Sequence, residues 1–130
     1  MKQMMQIFSG SSVIFLMLTF APDAYGQGLP SGVTDAMVTE GQQVYGGVGL
    51  CATCHGPSGE GFIGPSLIDS EWLNGEGTYD QIVTAIIDGV PLADIKNAMG
   101  VMMPPKGGSS ITDDQIKALA AYVWTLSNGG

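Results

Sequence analysis

Residues 51–55 read Cys51-Ala52-Thr53-Cys54-His55 and contain both cysteines and the single histidine of the 130-residue chain. A thioredoxin-like redox disulfide would call for a βαβ context, and no strand pattern flanks the motif. A structural zinc site takes four ligands, so two Cys and one His fall one short unless an acid completes the set. A plain disulfide between Cys51 and Cys54 would close a very short loop and contribute little. The reading that uses every residue is Cys-x-x-Cys-His, the attachment pattern of haem c. Two thiols three residues apart on a helical turn reach the vinyl groups of one porphyrin and form thioether bonds. The next residue then projects its imidazole at the iron.

Working outward, the composition narrows the classes of function. The length suits one domain. Hydrophobic residues make up 45% and charged residues 12%, the latter about half the usual globular share. Twelve acids against four lysines give a net charge of −8, with no arginine. A nucleic-acid partner would need a basic face, and so would an anionic membrane surface, so both are disfavoured. Solubility accounts for part of this acidity, since Glu60, Asp69, Glu71 and Glu76 fall in expected loops.

Ahead of the motif, Lys2 precedes an apolar stretch densest at 13–20, followed by Ala24-Tyr25-Gly26. This is the layout of a secretory signal peptide over residues 1–26, leaving 27–130 as the mature domain. Ser9-Gly10-Ser11-Ser12 interrupts the stretch, which is short of the ~20 apolar residues of a membrane span. Export places the thiols in an oxidising compartment, where covalent attachment would consume both sulfurs.

Three segments predict helices, and none predicts a strand. The first begins at Thr34, with Met37, Gly41, Val44, Tyr45 and Val48 expected on one face. Gly41 costs about 1 kcal/mol in a helix and suggests a backbone crossing closely. Thr78 to Gln81 and Thr112 to Gln115 both spell capping boxes, the second with a staple of Ile111 and Ile116. The last helix carries Ile116, Leu119, Ala120, Val123 and Leu126 as its stripe. The rest is rich in glycine and proline. An all-α domain with so little regular structure calls for a large apolar group to offset the entropy of ordering about 100 residues.

From the helix before Cys51, through Gly64-Pro65-Ser66-Leu67 to Met103-Pro104-Pro105 and the helix at 112–127, the chain resembles bacterial class I c-type cytochromes. The resemblance implies a small cytochrome c fold: three main short helices and long loops wrapped around one covalent haem c. It points to Met103 as the axial ligand opposite His55, and to the Pro65 carbonyl as acceptor for the imidazole. It also implies a crossing of first and last helices through Gly41, Tyr45, Leu119 and Tyr122, and puts Trp72 near a haem propionate. Independently of it, the single histidine excludes bis-histidine ligation within one chain. Met99, Met102 and Met103 crowd one loop, either as a source of a thioether ligand or as adaptable core fillers.

The expected site is therefore Cys51 and Cys54 for attachment, with His55 and Met103 on the iron. The expected function is a periplasmic monohaem electron carrier between larger redox proteins, with no bond chemistry of its own. A dedicated subunit of a quinoprotein dehydrogenase or terminal oxidase is the alternative, and a haem enzyme or gas sensor a more distant one. With only Lys96, Lys106 and Lys117 in the mature chain, docking would be largely apolar or use a basic partner.

Overall fold

Thr112 opens the last helix with a complete capping box: its hydroxyl accepts from Gln115 N–H at 3.2 Å, and the Gln115 side chain accepts from Thr112 N–H at 3.0 Å. Ile111 and Ile116, on either side of that cap, are both buried and form the staple. In the computed structural model, which describes residues 28–129, four α-helices form in chain order. They are α1 (Asp35–Gly46), α2 (Cys51–His55), α3 (Tyr79–Asp88) and α4 (Asp113–Asn128). The three expected helices are present, and α2 is a single added turn made by the motif itself. The expected signal peptide at 1–26 lies outside the described residues.

Thr34 and Thr78 cap α1 and α3 as expected, accepting from Met37 N–H and Gln81 N–H. The box at Thr78 is only half made. The Gln81 side chain instead accepts from Glu76 N–H at 2.7 Å, tying the preceding loop to the helix.

Phase along α1 differs from the expectation. Val38 is 1% exposed and belongs to the core, whereas Val48, expected on the buried face, is 62% exposed. The helix ends at Gly46, two residues before Val48, so the face read from the sequence does not continue that far. Along α4 the expected stripe is buried through Val123, and Ala118 and Ala121 join it. These small residues are buried because α1 crosses directly over them.

That crossing is where Gly41 matters. A Cβ at position 41 would fall on the Ala118 carbonyl oxygen and come within 2.8 Å of Tyr122 Cβ. Beside it, the Tyr45 and Tyr122 rings meet edge to face with centroids 5.4 Å apart. Ile82 and Ile86 of α3 complete the main core against α4. Among the described residues no strand forms; the one pairing outside the helices is an isolated antiparallel bridge between Val90 and Met103. No described helix is long and apolar enough to cross a membrane.

Tyr45 also reaches beyond the crossing. Its buried hydroxyl donates to the Gly56 carbonyl at 2.7 Å, joining α1 to the end of α2. Burial, followed by the nearby Cys51, Tyr122 and Glu60 groups, pushes its phenol above its ordinary value.

Two consequences can be measured by denaturant titration of the haem-loaded protein. Gly41→Ala should cost about 3 kcal/mol despite its better helix propensity, because the obstacle is backbone rather than a movable side chain. Tyr45→Phe should cost about 1 kcal/mol at neutral pH. The folded state holds the Tyr45 proton to higher pH than the unfolded chain, so native stability must fall as pH rises above about 10. The Phe variant lacks that loss, and the stability gap between the two proteins should narrow in alkali.

Candidate haem-binding site

The chain enters α2 through a strained corner. Leu50, a bulky residue, adopts φ 60° and ψ 11°, a left-handed conformation that L residues other than glycine and Asn/Asp rarely take. The turn that follows carries Cys51, Cys54 and His55 to one wall of a cleft. That cleft is also lined by Leu67, Trp72, Val90 and Val101, and encloses about 1100 Å³, its open mouth included.

Three loop amides and one hydroxyl hold the end of α2 in place. Gly64 N–H donates to the Cys54 carbonyl at 2.8 Å and Gly61 N–H to the His55 carbonyl at 2.7 Å. The Gly56 carbonyl accepts from both Gly59 N–H and the Tyr45 hydroxyl. Carbonyls that a helix C-terminus leaves without intrahelical partners are thereby satisfied. The loop from Gly56 to Pro65 is accordingly a clamp on the motif, built mainly from main-chain groups.

His55 is buried, and its Nδ1–H donates to the Pro65 carbonyl at 2.8 Å, as the resemblance implied. A carbonyl can only accept, so Nδ1 is the donor, which leaves Nε2 as the nitrogen available to a metal in the neutral ring. Gly64 lies flat against the ring, where a Cβ would stand 2.9 Å from Cε1. The Pro65 carbonyl and Gly64 together fix how the ring is oriented.

Neither cysteine is in a disulfide, and both are half-buried on the cleft wall. Burial pushes the Cys51 thiol up to about 11. A thiol-redox nucleophile needs the opposite shift, toward a stable thiolate. Among the described residues no acid joins the motif to make a metal-holding group, which removes the completed zinc site.

Of the three methionines, Met102 and Met103 reach the cleft and Met99 does not. Met99 is 64% exposed and Met102 42%, whereas Met103 is half-buried and packs against the main core. The main chain of Met103 is fixed by two hydrogen bonds with Val90. Sequence reasoning missed this pairing, which joins two single residues outside any strand. Trp72 lines the cleft as well and packs on the core.

The residues fit a covalently held haem: two accessible thiols, an oriented imidazole and a thioether converge on one apolar cleft. Residues 36–123 match the family described as cytochrome c oxidase, cbb3-type, subunit III. The cbb3-type cytochrome c oxidase subunit FixP of Bradyrhizobium diazoefficiens is 38% identical over 89 residues, 68% of this chain and 30% of that protein. The subunit CcoP of Rubrivivax gelatinosus is 38% identical over 78 residues, 59% of this chain and 22% of that protein. The chain thus spans under a third of the length of these curated relatives. Cytochrome cL of Methylophaga aminisulfidivorans shares the fold, with a TM-score of 0.50 at 23% identity over 70% of this chain and 53% of that one. The chain belongs to the cbb3-type cytochrome c oxidase subunit III family, as an electron-transferring c-type cytochrome domain with one haem c bound covalently through Cys51 and Cys54.

Proposed function

We propose that the protein is an exported, periplasmic one-electron carrier whose haem iron is ligated by His55 and Met103. The observation that carries this reading is the convergence of an oriented imidazole and a core-packed thioether on the same cleft as the two thiols. Haem c supplies the Fe(III)/Fe(II) couple, and ligation by His and Met raises its potential. The chain's own residues do the rest. Cys51 and Cys54 anchor the group, the Pro65 carbonyl holds the His55 ring, and Leu67, Trp72 and Val90 exclude water from the cleft walls. His55 and Met103 would hold the iron through one side chain each, which would leave no position there for a substrate.

Residues 1–26 serve as the export signal in this reading, with 27–130 as the mature domain. A second reading makes the chain a dedicated subunit of a larger complex. The names of its curated relatives favour a terminal oxidase over a quinoprotein dehydrogenase as that complex. Recovery at fixed stoichiometry with an oxidase after gentle purification would favour the subunit; recovery as a free monomer would favour the carrier.

The direct test is the mass and visible spectrum of protein exported by a host that matures c-type haem. One haem per chain and a one-electron redox titration are expected; colourless material with the mass of bare peptide would end the proposal. Met103→Ala should keep the covalent haem but lose the thioether–iron absorption band, and its potential should drop. Met102→Ala should retain the band, and the reverse pattern would move the ligand to Met102.

A further inference from the structure

We propose that Gly89 and Val90, where the chain leaves α3, are positioning residues for Met103 and determine how firmly its thioether is held on the iron. The inference rests on Met103 being the axial ligand. Val90 N–H donates to the Met103 carbonyl at 2.8 Å, and Met103 N–H donates to the Val90 carbonyl at 3.1 Å. This is the isolated bridge of the fold, and it ties the methionine loop to a helix packed in the main core. Within the loop itself the ties are local and exposed: the Asn97 side chain pairs with both main-chain groups of Val101 at 2.8 and 3.2 Å. Those bonds shape residues 97–101 but anchor them to nothing else.

Gly89 makes the bridge possible in two independent ways. Its φ of 69° and ψ of −167° fall in a region open essentially to glycine alone. A Cβ there would also fall on the Met103 carbonyl oxygen and stand 2.8 Å from both Pro104 C and Pro105 N. A side chain at position 89 therefore cannot coexist with the pairing. Either the backbone of α3's exit turns or the Met103–Pro105 segment moves away, and in both cases the thioether loses its seat.

The test is Gly89→Ala in the haem-loaded protein, with Gly100→Ala and Met103→Ala alongside. Gly100 shares the loop and a positive φ of 65°, but a Cβ there would meet nothing within 4 Å. Gly89→Ala should keep its covalent haem mass, lose most of the ferric thioether–iron band, lower the potential and bind CO about tenfold more tightly when reduced. Gly100→Ala should behave as the parent protein. An unchanged band, potential and CO affinity in Gly89→Ala would overturn the proposal, as would equal losses in Gly100→Ala. A band that survives in Met103→Ala would instead overturn the ligand assignment beneath it. Should Gly89→Ala yield no holoprotein, amide exchange on the parent protein decides. Val90 and Met103 amides should become exchangeable in step with loss of the band as denaturant rises. Free exchange while the band persists would refute the role of the bridge.

Discussion

Where α1 crosses α4, no side chain separates the two backbones: Gly41 lies directly over the Ala118 carbonyl. The rest of the structure depends on that approach. It buries Tyr45 and sets its ring against Tyr122, and the same Tyr45 hydroxyl then fixes the Gly56 carbonyl at the end of α2. From that point the clamp formed by Gly61 and Gly64 holds the Cys54 and His55 carbonyls, and Pro65 orients the imidazole. A helix crossing and the imidazole of the motif are thus linked through one phenol and a run of main-chain hydrogen bonds. The energies are individually modest, about 1 kcal/mol per bond. Their combined effect is to make the site rigid.

The two walls of the site are built by different means. On the imidazole side, position is set by short-range contacts within a dozen residues, from Tyr45 through Pro65. On the thioether side it comes from the long-range bridge between Val90 and Met103 and from the packing of Met103 against the main core.

What could be read from the sequence follows the range of each interaction. The motif at 51–55, the three threonine caps and the staple at Ile111 and Ile116 are local patterns, and they appear where expected. Gly41 was legible because glycine within a helix is costly and needs a reason. The buried face of α1 was read partly out of phase: it left out Val38 and ran on to Val48, which lies beyond the helix end at Gly46. Val38 and Ala118 take their burial from the angle of the crossing, which no periodicity encodes. The Val90–Met103 pair joins single residues from different loops, so no strand pattern announced it. Among Met99, Met102 and Met103 the resemblance pointed to Met103, and that residue is the one packed against the main core.

The joining of α1 to α4 also bears on how the protein is made. They are the first and last helices of the described residues, so the core cannot close until α4 is available. A polypeptide delivered N-terminus first exposes Cys51 and Cys54 while α4 has yet to arrive. The thiols that end up half-buried in the finished structure are open to chemistry during that interval. Chain order alone thus opens a period of freer access to both sulfurs, which the completed fold narrows.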